Sequence, residues 1–400
     1  MRKPDPLPDA TPDDRRAAAP IKGRGTATRL AHRFEARTRE RDLAGWEPVQ
    51  MPPAREKAGA AREHSGSGMV ADGSFDAPLV SPHTTCRPEP CRTILSRNDS
   101  PDIPFTWAIN PYRGCEHGCV YCYARPTHGY LNLSPGLDFE TQLTAKANAA
   151  EALRRELARP GYRPSPIQIG SATDAYQPVE REWRLTRQVL EVLDGCCHPY
   201  TIVTKSSGVE RDLDLLVRAA ARNQVYVMVS VTSLDPALSG RLEPRAAAPW
   251  RRLETVRRLA SAGVPVGVNV APIIPFLNEP EIEQIIEAAA RAGARSIHYT
   301  VVRLPWEVNP LFQGWLADHV PDKAERIMAR IRELHGGRDY EADFGRRMKG
   351  KGLWADLIRQ RVHKAAVRHG AAGSPPLLDA TAFRPPSPEP AAGAQACLFD

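Results

Sequence analysis

The sequence predicts an α/β protein whose central unit is a partial (β/α)6 barrel, flanked by disordered N- and C-terminal tails. Between residues 105 and 305, short apolar strands alternate with helical segments, which is typical of a parallel sheet. A full eight-unit barrel runs to roughly 250 residues, so this span has room for about six units. The 38 prolines and 28 glycines concentrate near both ends of the chain, which favours disorder there. A doubly wound parallel sheet is the alternative that would give the same alternation.

Each unit of the predicted barrel has its own strand and helix signals. The six strands are rich in β-branched and aromatic residues and are predicted at 105–110, 167–171, 200–204, 225–231, 264–271 and 296–302. Leu143, Ala147, Ala150 and Leu153 recur at helical spacing, which predicts a helix over 139–157. Further helices are predicted at 180–193, 210–222, 250–262 and 280–292, and beyond the barrel at 321–334 and 353–369.

These elements divide the chain into five parts. They are a disordered basic tail (1–80), an extended lead-in (81–104), the barrel (105–305), a helical cap on its open side (306–369) and a flexible tail (370–400). The basic stretch within 22–41 is expected to be a solvated tail, with a nucleic-acid-contacting arm as the alternative.

Composition limits the setting in which the protein works. The net charge of +7 and the pI near 9.0 favour polyanionic partners such as nucleic acid. Eight cysteines, three of them in one loop, do not form a secreted disulfide framework and fit a reducing cytoplasm. The N-terminus has no apolar signal region, and no apolar run approaches the roughly 20 residues that span a bilayer. We therefore expect a cytoplasmic protein without a membrane partner.

One loop carries the strongest chemical signal. Cys115, Cys119 and Cys122 are spaced C-x3-C-x2-C, with glycines at 114 and 118 that allow tight turns. Thiolates are the usual ligands of iron–sulfur clusters, and three of them leave one iron of a four-iron cluster without a protein ligand. A zinc site completed by His117 or His128 is one alternative, and a disulfide is a weaker one.

This loop, with an aromatic residue just before the last cysteine, resembles the radical S-adenosylmethionine (SAM) superfamily. The resemblance implies a [4Fe–4S] cluster whose open iron binds SAM, and a radical reaction that begins with hydrogen-atom abstraction from the substrate. It also implies a partial barrel and an external electron donor.

The resemblance extends to residues at the carboxyl ends of the strands, where such barrels bind ligands. Asp174, after the second strand, matches the carboxylate that contacts the SAM amino group, with a turn or helix cap as its structural alternative. Arg241 or Arg245 could hold the SAM carboxylate in a bidentate pair. Hydroxyl groups such as that of Ser230, together with Glu243, could hold the ribose hydroxyls, and Asn269 could reach the ribose or adenine; surface salt bridges are the alternative. The catalytic residue stays unassigned.

Three blocks resemble the spore photoproduct lyase-related branch of that superfamily: 173–178, 204–206 and 242–245. That lyase splits a thymine dimer and uses a cysteine near the end of its second strand as hydrogen donor. The corresponding stretch here, 169–174, has no cysteine. The branch therefore implies radical chemistry on nucleic acid, in repair or modification, without implying the lyase reaction itself.

The remaining motifs are separate from the barrel. Gln395, Leu398 and Phe399 resemble the short peptide with which bacterial proteins dock on the DNA sliding clamp, and an inert C-terminus is the alternative. Cys86 and Cys91 could ligate a second metal, although no matching pair follows them. Cys196 and Cys197, just before the third strand, are expected to be structural.

The sequence therefore predicts a radical SAM enzyme, with nucleic acid as the leading substrate class. Two alternatives stay open: a radical SAM enzyme that modifies a protein or small molecule, and a non-enzymatic clamp- or nucleic-acid-binding protein with a structural metal.

Overall fold

The structure is a computed structural model that describes residues 21–34 and 83–386. Its strands, in chain order, are β1 (Thr85–Glu89), β2 (Leu95–Arg97), β3 (Trp107–Ile109), β4 (Tyr112–Arg113), β5 (Gln142–Lys146), β6 (Ile167–Ile169), β7 (Tyr200–Thr204), β8 (Val225–Ser230), β9 (Val266–Ile273) and β10 (Ser296–Val301). Its α-helices are α1 (Asp138–Thr141), α2 (Ala149–Leu157), α3 (Glu180–Trp183), α4 (Leu185–Gly195), α5 (Leu213–Ala221), α6 (Pro236–Leu242), α7 (Pro249–Ser261), α8 (Ile282–Arg291), α9 (Val308–His319), α10 (Pro321–Leu334) and α11 (Gly352–Arg368).

The main sheet contains seven strands in the order β10-β9-β8-β7-β6-β3-β2. Six of these strands, β3 and β6 to β10, are parallel, and β2 runs antiparallel to β3 at the edge. The order is linear, so the six parallel strands form an open, partial barrel. The prediction of six parallel strands at these places is confirmed.

Local sequence explains why these strands lie inside. β8 reads Val-Tyr-Val-Met-Val-Ser, and five of its six residues are buried. Such a continuous apolar run is typical of a parallel strand that is covered on both faces. The main core lies between the sheet and its surrounding helices and includes side chains from α2, α4, α5, α7, α8 and α11.

A second, smaller sheet was not predicted. β5 lies between β1, which is parallel to it, and β4, which is antiparallel. The predicted helix over 139–157 is therefore wrong at 142–146, where burial alternates residue by residue as in a strand. Leu143 faces inward in this strand and also fits the helical spacing, so the pattern alone was ambiguous.

Two parts of the predicted tails are packed on the barrel instead of being disordered. In the segment 21–34, Arg24 and His32 are buried, and Arg24 donates to the carbonyl oxygen of Glu140 at 3.1 Å. Beyond α11, the backbone amide of Arg384 donates to the carbonyl oxygen of Cys196 at 2.9 Å, and Phe383 packs against His198. Proline- and glycine-rich composition suggested disorder, but these contacts come from distant parts of the chain, which composition does not report.

Helices beyond the barrel complete the described chain. α10 and α11 lie where the sequence predicted helices, whereas α9 was missed because Pro310 and Gly314 weaken its signal. α9 and α10 pack against the cysteine loop through Phe312 and Ile327. Arg361 of α11 pairs with Glu279 and Glu283, which joins this helix to α8. Within the described ranges, no helix is long and apolar enough to cross a membrane.

Candidate active site at the cysteine loop

The loop of the three cysteines follows β4 and turns sharply at two glycines. Gly114 and Gly118 have φ values of +75° and +67°, a region that residues with a Cβ rarely adopt. A Cβ at Gly114 would lie 2.6 Å from Cδ2 of Leu143, and one at Gly118 would lie 2.7 Å from Oε2 of Glu140. Both turns therefore require glycine for conformational and steric reasons.

The loop holds its cysteines inside the protein. Cys115 and Cys119 are buried and Cys122 is half-buried, and all three thiols are free. Cys115 and Cys122 pack around Ala124 and Phe139. Burial raises the pKa of the Cys119 thiol to about 12, so a thiolate at this position needs a positive partner to replace the proton.

The buried side chain of Arg125 holds the backbone of the cysteine loop through hydrogen bonds. Its fully buried guanidinium donates to the carbonyl oxygens of Gly118 (3.1 Å) and Cys119 (2.9 Å), and to those of Pro135 and Gly136. It also forms a 2.5 Å ion pair with Glu140, whose side chain is equally buried. All five guanidinium donors thus point at fixed acceptors, which is the arrangement that makes arginine suited to buried sites.

The segment 21–34 covers the other side of the loop. The amide of Gly25 donates to Oε2 of Glu140 at 2.9 Å. A Cβ on Gly25 would lie 1.7 Å from the carbonyl oxygen of Gly118, so this contact is possible only for glycine. The Arg125–Glu140 pair therefore ties the cysteine loop to a segment almost 100 residues earlier in the chain.

The loop after β6 joins the cysteine loop through side-chain amides. Gln177 is fully buried; it accepts from the amide of Glu116 (2.9 Å) and donates to the carbonyl oxygen of Gly114 (3.1 Å). Asn110, at the end of β3, accepts from the amide of Ala172 at 2.8 Å. Arg125, Glu140 and Gln177 were not among the predicted site residues, because a buried charged or amide residue has no local sequence pattern of its own.

Asp174 lies beside the cysteine loop, as its predicted role requires, but it already has several protein partners. Its carboxylate accepts from the hydroxyl of Thr204 and the amide of Lys205, both at 2.7 Å, and from the amide of Tyr176 at 2.8 Å. His117 Nδ1 is 3.3 Å from Oδ2. Burial opposes ionisation, but His117 and the donated hydrogen bonds outweigh it and lower the pKa of Asp174 to about 2.

Glu243 belongs to a buried network that holds Tyr121, the residue before Cys122. Its carboxylate forms an ion pair with Arg252 and accepts from the hydroxyls of Tyr121 and Thr232. Both oxygens therefore have partners, and the ribose contact expected of Glu243 stays a prediction. The structure gives this carboxylate a positioning role at the cysteine loop.

The other predicted site residues lie at three different places. Ser230 and Asn269 are paired neighbours at the carboxyl end of β8 and in β9. Arg245 forms a 3.1 Å ion pair with Glu116 of the cysteine loop. Arg241 is exposed on α6, and its Nε donates to the carbonyl oxygen of Ala237 in its own helix.

Two cations at the ends of strands have no ion pair. Lys205 follows β7, and Arg303 follows β10; in the part of the chain that the structure describes, no carboxylate oxygen lies within 4.0 Å of either. The Lys205 ammonium lies 5.9 Å from the ring centroid of Tyr121. The Arg303 guanidinium lies 4.7 Å from the ring of Tyr123, the residue after Cys122, and burial lowers the pKa of Arg303.

The side chains considered for other metal sites are dispersed. Cys86 packs in the cluster around Tyr112, and Cys91 and Cys196 pack on the main core. His128 Nε2 lies 2.9 Å from the carbonyl oxygen of Gln142. Across residues 21–34 and 83–386, no three His, Cys, Asp or Glu side chains are grouped to hold a single metal ion.

A family model of the radical SAM superfamily matches residues 109–289, which include the cysteine loop and strands β6 to β9. An uncharacterised protein of Mycobacterium tuberculosis is 33% identical over 315 residues, which cover 77% of this chain and 86% of the relative. The chain belongs to the radical SAM superfamily and is a radical SAM enzyme.

More distant relatives share parts of the chain. An uncharacterised protein of Methanocaldococcus jannaschii is 27% identical over 175 residues, covering 44% of this chain and 63% of the relative. Among solved structures, spore photoproduct lyase with bound AdoMet and dinucleoside spore photoproduct is similar, with a TM-score of 0.51. That match has 17% sequence identity and covers 72% of this chain and 80% of the lyase, so it shows a shared fold.

Enzymes of this superfamily use a [4Fe–4S] cluster and SAM. The donor set of the loop fits such a cluster, because three cysteines of one short loop supply soft thiolate ligands without a fourth cysteine in the motif. The hydrogen bonds from Arg125 and Gln177 to loop carbonyls would hold these ligands in place.

Proposed function

We propose that this enzyme acts on nucleic acid, in repair or modification, and that Cys115, Cys119 and Cys122 hold its cluster. The observation that supports the substrate class is that Lys205 and Arg303, at the carboxyl ends of two barrel strands, form no ion pair with any residue that the structure describes. A half-buried arginine without a carboxylate is suited to bind an anion, and phosphate is the anion that nucleic acid offers at high density.

When bound, the cluster and SAM would supply the radical chemistry that begins with abstraction of a hydrogen atom. The chain's own residues bind and orient the cofactors and shield them from water. Arg125 and Glu140 fix the loop, while Tyr121 is held by Glu243. Cys115 and Cys119 are buried, so the fold would keep water away from these two ligands.

We expect the SAM contacts to come from the residues around the loop. Ser230 and Asn269 lie next to each other at one end of the sheet, which suits contacts to ribose or adenine. Asp174 would contact the amino group, and Arg245 or Arg241 the carboxylate. Because Asp174, Glu243 and Arg245 have protein partners here, each of these contacts requires an exchange of partners.

A nucleic-acid substrate must present its reacting carbon inside the barrel. A base in a duplex cannot reach such a site, so we expect an unpaired or extruded nucleotide. Arg303 lies over Tyr123, and together they offer a cation and an aromatic face directly beside the cysteine loop. The bound dinucleoside of the similarly folded lyase supports a substrate of this chemical class.

The C-terminal residues Gln395, Leu398 and Phe399 lie outside the described residues, and we propose that they dock on a DNA sliding clamp. Two apolar side chains on a tether would keep the enzyme near DNA. Calorimetry with a peptide of residues 391–400 tests this: binding to the clamp supports the proposal, and no heat of binding refutes it. We further propose a cytoplasmic location and an external electron donor.

The substrate class is tested by measuring 5′-deoxyadenosine release by the reduced, cluster-loaded enzyme with and without DNA or RNA oligonucleotides. We expect nucleic acid to raise the rate, and Arg303→Gln to weaken this stimulation. Arg291→Gln is the matched control, because Arg291 is exposed on α8 and forms an ion pair within its own helix. If no nucleic acid binds to the enzyme or stimulates SAM cleavage, the proposed substrate class is wrong.

A further inference from the structure

Three large aromatic side chains lie exposed around one arginine. Phe34, Tyr130 and Trp306 are 48%, 68% and 51% exposed, and the Arg33 guanidinium lies between them. Its carbon Cζ is 4.0 Å from the ring centroid of Trp306, 4.7 Å from that of Phe34 and 5.9 Å from that of Tyr130. We call these four residues the aromatic platform.

The buried carboxylate of Glu307 holds the aromatic platform in place. Arg33 donates from its backbone amide (3.1 Å) and its guanidinium (3.0 Å) to the carboxylate of Glu307, which is buried. Trp306 has a φ of +47°, a conformation that is rare for a bulky residue. A strained backbone that presents a ring to solvent is the kind of feature found at functional positions.

The aromatic platform is connected along the chain to the cysteine loop and to the carboxyl end of the barrel. Phe34 ends the described segment whose Gly25 packs on Gly118, and Tyr130 lies in the short helical turn that follows Cys122. Trp306 is three residues after Arg303, at the carboxyl end of the barrel. A ligand on the platform would therefore lie at the same end of the barrel as the cysteine loop.

The charge around the platform selects the kind of ligand. The segment 21–34 contains Lys22, Arg24, Arg29 and Arg33 and no acidic residue. The side chain of Arg29 is 65% exposed although its Nε pairs with Asp138 at 3.0 Å, and Arg33 pairs with Glu307. Aromatic faces that alternate with cations match the unpaired bases and phosphates of single-stranded nucleic acid.

We propose that the aromatic platform stacks unpaired bases of a single-stranded nucleic acid and feeds the strand toward the cysteine loop. This inference rests on the proposed function, because it adds the surface that binds the substrate outside the barrel. Tyr130, the most exposed ring, stacks a base, and Arg29 contacts a phosphate.

Fluorescence anisotropy with the full-length, cluster-loaded protein and labelled single-stranded DNA and RNA oligonucleotides tests the platform. Tyr130→Ala is expected to weaken binding roughly tenfold, within the range measured for loss of one base–aromatic stack. Tyr130→Phe keeps the ring and is expected to bind like the wild type. Trp250→Ala removes an equally exposed ring from α7, outside the platform, and is expected to have no effect. Arg29→Ala is expected to lower the slope of log affinity against log salt by about one.

The outcomes distinguish a failure of the proposed platform from a failure of the proposed substrate class. If the wild type binds oligonucleotides and Tyr130→Ala binds equally well, the platform is refuted and the proposed function stands. If the wild type binds neither DNA nor RNA, both the platform and the nucleic-acid substrate are refuted. A tenfold loss for Tyr130→Ala with rescue by Tyr130→Phe supports both. If Tyr130→Phe loses binding as severely as Tyr130→Ala, base stacking is refuted.

Discussion

Removing Arg125 should destabilise the protein more than removing any exposed arginine. The guanidinium and the carboxylate of Glu140 are both fully buried, so Arg125→Met leaves a buried carboxylate without its cation. Such a loss costs about 3–5 kcal/mol of unfolding free energy in other proteins. The carbonyl oxygens of Gly118 and Cys119 also lose their donors, which should loosen the cysteine loop.

The assay is urea unfolding of the oxygen-free protein, followed by circular dichroism, with iron per chain measured on the same samples. Arg125→Met should unfold at lower urea and retain less iron. The double variant Arg125→Met/Glu140→Met should recover part of the stability, because neither charge is then buried alone. Arg257→Met is the control, since Arg257 pairs with Glu254 on an exposed helix face and should unfold nearly as the wild type does.

A destabilisation by Arg125→Met of less than about 1 kcal/mol, the value typical of an exposed ion pair, would refute this reasoning. It would mean that Glu140 is not buried as a charged group. Recovery of stability in the double variant without recovery of iron would show that the loop needs the arginine itself.

Two further predictions concern parts of the chain that were expected to be disordered. Gly25→Ala should release the segment 21–34 from the cysteine loop, because its Cβ would meet the carbonyl oxygen of Gly118. Limited proteolysis should then cut this segment faster, whereas Gly240→Ala, where a Cβ meets no neighbour, should leave the cutting rate unchanged; equal rates would contradict the contact. His198, buried beside Tyr162 and Phe383, has its pKa lowered by burial from 6.5 to about 4. The unfolded chain therefore binds the proton first as the pH falls. Stability from the neutral ring is complete above pH 6.5 and is lost toward pH 4, by up to about 3 kcal/mol. His198→Gln should flatten this part of the stability curve, and an unchanged slope would contradict the assignment.

The sequence was most informative where the physical signal is local. β8 could be predicted because parallel strands need a continuous apolar run. The cysteine loop could be predicted because its three cysteines lie at most seven residues apart. β5 was missed because Leu143 fits both strand and helix spacing. The packing of segment 21–34 could not be predicted, because it depends on Glu140, more than 100 residues away.

The residues of the candidate site could likewise be predicted only where their signal is local in the sequence. Cys115, Cys119 and Cys122 were identified from their spacing, and their role as cluster ligands stays a prediction. Asp174 and Glu243 were chosen for their position after strands, but sequence could not show that both already have protein partners. Arg125 was not predicted because arginine is usually exposed. Its burial is explained only by its five hydrogen-bond acceptors, which the fold brings together from the cysteine loop and from residues 135–140.

The most direct test of the central claim is the iron and acid-labile sulfide content of the protein purified without oxygen, compared with that of Cys122→Ala and Cys197→Ala. The three-cysteine cluster predicts the iron of one [4Fe–4S] cluster per chain in the wild type and in Cys197→Ala, and a large loss in Cys122→Ala. Zinc in place of iron in the wild type, or full iron retention by Cys122→Ala, would contradict it.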